Sequence, residues 1–389
     1  MALSSDSDKI PLWRDERFWR IAFQVIVLAV VVTIALIMLG NMSRNLRQLG
    51  RQFDFSFLRN AAGFNIGEAI VPYKTNDRYI WALTVGFLNT LRLIAIGFIV
   101  ATVAGVVAGI ASFSENWLVR NLSRLYVEII RNTPLLLQLF FWYFAVFFGL
   151  SGDVGLARLP GSIFISKKGI YIPFPSNTLA AWLSAAVLLA GAIAAFFIWQ
   201  QRTKVMSEQG SDGKPQLRML IGIGIVSLLV FLFGLGWSFP QQVTGDTIAG
   251  GLRMSLEYGA LLAGLSFYTG AFIAEIVRAG IQSVSQGQWE AARALGLHSG
   301  LAMRLVVFPQ ALRLIIPSLN SQYMNLAKNS SLALAIGYPD IFSTAQTTLN
   351  QTGRAVEVIS LVMTTYLVVN LIISVVMNLL NRTVQLQER

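Results

Sequence analysis

Long apolar runs without charge constrain this chain more than any other feature of its sequence. Residues 21–39 contain no charged side chain, and at 1.5 Å per residue such a helix is about 28 Å long, enough to cross the hydrocarbon core of a membrane. Backbone polar groups in lipid must be satisfied within the segment, so each such run predicts a spanning helix. Eight spans are predicted, with approximate bounds 21–39, 83–113, 125–150, 179–199, 219–239, 256–284, 319–337 and 356–380.

The composition agrees with an all-α polytopic membrane protein. Hydrophobic residues make up 55% of the chain, charged residues only 13%, and the mean hydropathy is +0.61, values that exclude an ordinary soluble domain. The formal net charge of +11 comes from basic residues in the loops beside apolar runs, which indicates membrane topology and anionic-lipid contact and not nucleic-acid binding. The first run is too long for the apolar part of a cleaved signal peptide, so it is predicted to remain as a helix.

The segment 288–318 is the one amphipathic, charged stretch between the later spans. It begins Q-W-E-A-A-R-A-L-G, which predicts a short helix with Glu290 in an early turn and Gly296 at a left-handed stop. Together with Ala291 and Ala292, these residues leave little side-chain bulk on one face. Such a face lets another protein approach the backbone closely.

The E-A-A triplet, the glycine four residues after its second alanine, and an apolar run ending in Pro309 or Pro317 resemble the EAA loop of permease subunits of binding-protein-dependent ABC importers. Three further segments are similar to the polar amino-acid uptake branch of that family. They are E-I-I-R-N-T-P-L-L-L-Q at 128–138, A-E-I-V-R-A-G-I at 274–281, and P-Q-A-L-R-L-I-I-P at 309–317 followed by K-N-S-S-L at 328–332. The extra first helix and the inserted helical hairpin are most like the longer permease of general L-amino acid systems.

This resemblance implies a type I ABC importer permease fold, with a five-helix core, an N-terminal helix and an inserted hairpin. It implies that residues Glu290, Ala291, Ala292 and Gly296 form a cytoplasmic coupling helix that docks into a separate ATPase subunit. ATP and Mg are expected on that partner, with no cofactor in this chain, which lacks the G-x-x-x-x-G-K-[ST] motif and is expected to be no enzyme. Counting Lys and Arg supports this orientation, because the predicted inner segments carry more of them than the outer ones.

The other implied partners are a second, homologous permease, a periplasmic amino-acid binding protein, the amino-acid substrate and membrane lipid. The second permease is either a different chain or a second copy of this one. The implied location is the bacterial inner membrane, where the complex translocates L-amino acids by alternating access. Residues 1–82 are predicted to form a tail, the first helix and a periplasmic segment, residues 83–380 the permease domain with its insertion at about 151–250, and residues 381–389 a cytoplasmic tail.

Charged residues inside the predicted spans mark the expected substrate site, because a charge in lipid costs several kcal/mol. Arg131 precedes Pro134, which removes a helical hydrogen bond beside a cation. We expect Arg131 to bind the α-carboxylate of an amino acid and Glu275 to bind its α-ammonium group. The full predicted set is Arg131, Asn132, Thr133, Glu275, Gln282, Ser330 and Ser331.

Simpler interpretations remain open for the site and for the protein. The charges fit purely structural pairs at i, i+3 spacing, Arg131 with Glu128 and Glu275 with Arg278. At Asn329-Ser330 the chain departs from the Asp-Thr or Asp-Ser common in the family, which argues against a carboxylate role there. The alternative functions are an ion-coupled secondary amino-acid carrier and a membrane scaffold. A secondary carrier usually has inverted repeats, and the sequence has no such internal repeat.

Overall fold

The computed structural model describes residues 16–48, 50, 52–150, 156–209, 212–244 and 247–384. In these ranges seven helices are long and apolar enough to cross a membrane, and a bent pair makes up to eight crossings. The helices are α1 (Glu16–Gln48), α2 (Tyr79–Ala111), α3 (Trp117–Arg131), α4 (Leu135–Phe140), α5 (Leu179–Gln209), α6 (Lys214–Leu229), α7 (Leu256–Gln282), α8 (Gln286–Ala294), α9 (Ser299–Ala302), α10 (Phe308–Asn329), α11 (Ile341–Thr352) and α12 (Ala355–Val384). The predicted multi-pass helical fold is confirmed.

Short strands cover residues that the sequence analysis treated as loop, except for Trp237–Ser238, which lies at the end of the predicted fifth span. They are β1 (Leu156–Leu159), β2 (Ile163–Ser166), β3 (Gly169–Ile172), β4 (Phe174–Pro175), β5 (Trp237–Ser238), β6 (Gln241–Thr244), β7 (Thr247–Ala249) and β8 (Leu252–Met254). The largest sheet is antiparallel with the order β1-β2-β3-β8. Its Ile165 and Ile170 are buried against Leu256 at the start of α7. We call this end of the molecule the sheet side, and the opposite end the α8 side.

The predicted third span is not one helix. It is split between α3 and α4, which meet at 110°, and a π-helical segment (Phe141–Phe148) continues α4. The break falls at Asn132-Thr133-Pro134, where proline removes a backbone donor. The side-chain amide of Gln138 donates to the carbonyl oxygens of Ile130 and Thr133 at 2.8 and 2.9 Å. The chain therefore satisfies carbonyl groups that the proline leaves without a helical partner.

The centre of the fold is a close contact between α2 and α7. A Cβ atom on Gly105 would lie 2.5 Å from the Cβ of Ile273 and 2.8 Å from the carbonyl oxygen of Gly270. A Cβ atom on Gly109 would lie 2.7 Å from the Cβ of Val277. The GxxxG spacing in the second predicted span permits this approach, and its packing partner is α7. Helices α10 and α12 complete the core around buried aliphatic side chains.

Three spanning helices stand outside this core. In its spanning window α1 buries no residue within this chain, and neither does α6. The hairpin formed by α5 and α6 packs on itself, as when Ser184 donates to the carbonyl oxygen of Gly234 at 2.9 Å. The pairing of β3 with β8 holds the two ends of the hairpin together. The apolar exterior of these helices suits contact with lipid.

The segment 52–78 covers the sheet-side ends of three helices. Its Phe57, Ala62 and Ile66 are buried in one cluster with residues of α2, α11 and α12. Arg354, just before α12, donates to the carbonyl oxygen of Gln52 at 2.9 Å and to the buried Glu357 at 3.1 Å. We call residues 52–78 the cap segment. It ties the beginning of the core to its last helix.

Asp340, in the connection between α10 and α11, is fully buried. Its carboxylate accepts from the backbone N–H of Ser343 at 2.7 Å and from the hydroxyl of Tyr366 at 3.1 Å, and in the described part of the chain it forms no ion pair. Loss of hydration on burial raises its pKa to about 6. The proton therefore binds the folded state more tightly than the unfolded one.

This raised pKa predicts a pH-dependent stability. Protonation of Asp340 adds to the free energy of unfolding. This added stability is complete below about pH 4 and is lost as the pH rises through about 6. Asp340→Asn imitates the protonated group, so we expect it to raise the free energy of unfolding by about 1–3 kcal/mol at pH 8, with a gain that shrinks toward pH 5. Thermal unfolding midpoints of the detergent-solubilised protein between pH 5 and 8 measure this, with Asp212→Asn at an exposed carboxylate as control. A gain independent of pH would contradict the assignment.

Candidate functional site

A cavity of about 480 Å³ lies between α2, α3 and α7, toward the α8 side. It contains part of the predicted substrate site together with residues that the sequence analysis did not select. Its charged and amide lining residues are Arg124, Glu128, Arg131, Asn132, Glu275 and Arg278. A concave site with convergent polar groups is the expected form of a small-molecule site.

Glu275 joins two arginines inside this cavity. The guanidinium of Arg278 makes two hydrogen bonds with the carboxylate, at 2.6 Å from Nη2 to Oε1 and 3.2 Å from Nε to Oε2. Nη1 of Arg131 lies 3.4 Å from Oε2, and the Arg131 guanidinium also lies 5.5 Å from the ring centre of Phe272. The i, i+3 pair of Glu275 with Arg278 is present, whereas the ion pair of Arg131 reaches across to α7 and not along α3 to Glu128.

This arrangement leaves positive charge uncompensated. Three arginines and two glutamates line the cavity, and both oxygens of Glu275 already accept from Arg278. Arg131 has the longer contact and a side chain that is 41% exposed, so it is the group best able to bind another carboxylate. Glu275 was expected to bind an ammonium group. In the structure its carboxylate already contacts both Arg278 and Arg131.

The position of α3 follows from its sequence and its contacts. Asn116 caps the helix by accepting from the backbone N–H of Leu118 at 2.9 Å. Ser123 donates to the carbonyl oxygen of Ala108 at 2.6 Å, and the Tyr126 hydroxyl donates to that of Phe267 at 2.6 Å. These bonds fix α3 on α2 and α7. The spacing of residues 124, 128 and 131 places them on one face of α3. This spacing could have identified Arg124 as a lining residue from the sequence alone.

The structure brings together Arg131, Asn132 and Glu275 and leaves the other predicted substrate residues elsewhere. Thr133 donates to the carbonyl oxygen of Ile129 at 2.8 Å and does not line the cavity. Gln282 is exposed at the end of α7. These two assignments to substrate binding remain predictions without support from the cavity.

Ser330 and Ser331 also lie away from the cavity, in the 3₁₀ turn after α10. Ser330 is buried, donates to the carbonyl oxygen of Ala327 at 2.8 Å and lies 3.2 Å from the hydroxyl of Tyr366. Ser331 donates to the carbonyl oxygen of Lys328 at 2.8 Å. In this conformation both hydroxyl groups are used within the protein.

The sequence analysis missed a charged pair on the sheet side. Arg92 of α2 lies 2.5 Å from Glu68 of the cap segment, with side chains 19% and 13% exposed. Its guanidinium is also 4.0 Å from the ring centre of Tyr258. Arg92 is the one charged residue between 83 and 113, so the same search for charges within spans would have found it. Its partner was not predictable, because the cap segment has no periodicity that places it.

The short helix predicted at the beginning of the segment 288–318 is present as α8 (Gln286–Ala294). Gly296 has φ of 76°, and the backbone N–H groups of Gly296 and Leu297 donate to the carbonyls of Arg293 and Ala292. These are the two hydrogen bonds of a Schellman motif, which requires the left-handed residue that glycine supplies. The predicted stop is therefore confirmed, but Glu290 lies in the second turn of α8 and not in the first.

One face of α8 is exposed and the other packs on the core. Ala292 is 2% exposed, and Trp289 packs against the buried aliphatic cluster. Gln310 of α10 donates to the side-chain oxygen of Gln288 at 3.1 Å. Glu290 and Ala291 are exposed, and Leu295 is 80% exposed although it is apolar. The helix thus presents an acid, a small residue and an exposed leucine while it remains attached to α10.

Comparisons with known proteins agree with this architecture. Residues 217–386 match the family described as binding-protein-dependent transport system inner membrane component. The chain is 43% identical over 372 residues to the putative amino-acid ABC transporter permease protein YhdX of Escherichia coli (strain K12), with 94% of each chain covered. It is 38% identical over 380 residues to the general L-amino acid transport system permease protein AapQ of Rhizobium johnstonii, covering 96% of this chain and 94% of the relative. It is also 38% identical over 428 residues to the glutamate/glutamine/aspartate/asparagine transport system permease protein BztB of Rhodobacter capsulatus, with both chains fully covered.

Proposed function

This chain belongs to the inner membrane components of binding-protein-dependent transport systems, and from that membership we propose that it is the permease subunit of an ATP-driven importer of L-amino acids. It works in a bacterial inner membrane by alternating access. Separate ATPase subunits bind ATP and Mg and hydrolyse the nucleotide, and a periplasmic binding protein delivers the substrate. The observation that carries the proposal is the cluster of Arg131, Glu275 and Arg278, whose uncompensated positive charge suits an α-carboxylate.

The geometry links this cluster to the proposed ATPase contact. Glu275 and Arg278 lie on the last turns of α7, and only three residues separate the end of α7 from the start of α8. A displacement of α8 by the ATPase therefore acts directly on the helix that carries Glu275. Because α8 also contacts α10 through Gln288 and Gln310, the same displacement moves two core helices together.

A second permease subunit is proposed to cover one polar face of α10. Ser321, Asn325 and Lys328 are exposed at i, i+4, i+7 spacing in a membrane-spanning helix. A lysine and an asparagine at that depth are costly against lipid and are expected to face protein or water. This face is then the contribution of the chain to a translocation pathway between the two subunits, which are either two unlike permeases or two copies.

The test is a comparison of Glu290→Lys with wild type in the co-expressed complex. Lysine reverses the charge on the exposed face of α8, so we expect the ATPase subunits to be lost on purification and both ATP-driven amino-acid uptake and stimulated ATPase activity to fall at least tenfold in liposomes. Glu115→Lys is the matched control, because it reverses an exposed acid in the α2–α3 loop on the same side of the membrane. It should leave uptake within about twofold of wild type, since isolated surface charges contribute little.

Two results would contradict the proposal. Wild-type uptake that needs an ion gradient, and proceeds without ATP or an attached ATPase, would favour an ion-coupled carrier. Glu290→Lys that transports normally would remove α8 as the coupling element.

A further inference from the structure

A second cavity, of about 280 Å³, lies on the sheet side. Four separate parts of the chain meet there: the cap segment, the turn between β2 and β3, the stretch from β8 into α7, and residues 337–339 just before α11. Charges of both signs line it. They are Glu68, Lys167, Lys168, Arg253 and Glu257.

The two carboxylates of this sheet-side cavity, Glu68 and Glu257, have different partners. Glu68 is bound by Arg92 and accepts from the backbone N–H of Ser255 at 3.0 Å. Glu257 accepts from the hydroxyl of Tyr143 at 2.8 Å, and in the described part of the chain no cation lies within 4.0 Å of its carboxylate. Glu257 therefore brings a negative charge into the cavity that the protein solvates but does not neutralise.

The cations are held over the start of α7 by the sheet. Gly169 packs so closely that a Cβ atom would lie 2.4 Å from the carbonyl oxygen of Met254 in β8. Nε of Arg253 donates to the carbonyl oxygen of Lys168 at 2.9 Å, which ties the β2–β3 turn to the strand that leads into α7. The side chains of Lys167 and Arg253 are exposed. The β2–β3 turn is thus held against β8 by close packing and by this hydrogen bond. Neither Lys167 nor Arg253 forms an ion pair with Glu257.

Glu257 shares this cavity with Lys167 and Arg253 but forms no ion pair with either of them, an arrangement that matches a ligand carrying both charges. We propose that the sheet-side cavity binds a free α-amino acid as its zwitterion, with the α-ammonium group at Glu257 and the α-carboxylate at Lys167 and Arg253. The inference rests on the proposed function, because it takes amino acids as the solute. It adds a receiving site on the side where substrate arrives, separate from the cluster around Glu275.

Helix α7 carries both sites. Glu257 lies in its first turn and Glu275 near its other end, so about 27 Å of helix separates the two residues at 1.5 Å per residue. Each of these glutamates shares a cavity with arginine or lysine side chains. A displacement of α7 would therefore move the receiving site and the inner site together.

The experiment measures L-glutamine binding to the purified complex in nanodiscs without binding protein. In an Arg131→Ala background, which weakens the inner site, we expect Glu257→Gln to raise the Kd for radiolabelled L-glutamine at least tenfold. Lys167→Gln should act in the same direction, and Glu257→Asp should recover part of the affinity. Glu115→Gln is the matched control, since it removes an exposed carboxylate on the opposite side of the membrane, and it should leave the Kd within about threefold. Glutamine α-amide, which lacks the α-carboxylate, should compete poorly.

An unchanged Kd in Glu257→Gln, with an unchanged unfolding midpoint, would overturn the receiving site. So would a variant that loses affinity for the binding protein but keeps its affinity for L-glutamine, because the cavity would then be a protein contact. Uptake by wild-type liposomes, measured in parallel, separates the two proposals. ATP-driven uptake with an unchanged Kd overturns only the receiving site, whereas absence of any ATP-driven amino-acid uptake overturns the proposed function.

Discussion

Replacing Arg131 with alanine is expected to reduce L-amino-acid uptake on the order of 30- to 1,000-fold, corresponding to about 2–4 kcal/mol for the loss of a charge-assisted carboxylate contact. The fold should survive, because the side chain is 41% exposed and its single contact with Glu275 is 3.4 Å long. The bidentate pair of Glu275 and Arg278 stays in place. What disappears is the uncompensated positive charge that we propose binds the substrate carboxylate.

Uptake by the co-expressed complex in liposomes, with the unfolding midpoint recorded beside it, measures this effect. Arg124→Ala is the matched control because Arg124 lines the same cavity but forms no ion pair with Glu275. We expect a much smaller loss there. Arg131→Lys should recover uptake only in part, since lysine keeps the charge without the planar fork. If Arg131→Ala transports within threefold of wild type, the cavity is not the substrate site.

Gly105→Val is expected to prevent formation of the native core. A Cβ atom there would lie 2.5 Å from both Cβ and Cγ2 of Ile273 and 2.8 Å from a backbone oxygen of α7, and valine adds two methyl groups to that conflict. Overpacking a tight core costs about 1–3 kcal/mol and occasionally more. The backbone of α7 cannot yield at this contact without moving the helix. The expected result is loss of the monodisperse peak in size-exclusion chromatography of the detergent-solubilised protein.

Two variants make this prediction specific. Gly222→Val introduces the same side chain into α6, where nothing lies within 4 Å of the new Cβ, and it should behave like wild type. Adding Ile273→Ala to Gly105→Val removes much of the side-chain conflict and should recover part of the yield. Equal yields from Gly105→Val and Gly222→Val would show that the separation of α2 and α7 is not set by these glycines.

The features predicted correctly from the sequence are those that depend on local chemistry. Apolar length predicted most of the spans, although the third is broken and the helix of the seventh begins at Phe308 and not near residue 319. The stop at Gly296 followed from the left-handed conformation that glycine permits. Proline marked the break after Arg131, but the sequence did not reveal that Gln138 would satisfy the freed carbonyls. That contact depends on the 110° angle between α3 and α4, which is a tertiary property.

The features that were missed depend on residues distant in sequence. Strands of two to four residues, such as β4 and β2, are too short to show a period-two pattern, and the sheet closes only when β8 pairs with β3 across the α5–α6 hairpin. Ser330 was selected as a polar side chain within a predicted span, yet its hydroxyl lies against that of Tyr366 from another helix. Glu68 reaches Arg92 from the irregular part of the cap segment. In each case an unpredicted long-range contact decides the role of the side chain.

The cap segment also has a consequence for biogenesis. The residues joined by the bond between Arg354 and the carbonyl of Gln52 are 302 positions apart, so the cap segment leaves the ribosome long before α12 is made. During synthesis its buried side chains can pack on α2, but the parts of the cluster that come from α11 and α12 are added only when those helices have been made. Incomplete chains that end before Ala355 lack the α12 side chains of this cluster. They therefore expose apolar surface that the finished protein buries.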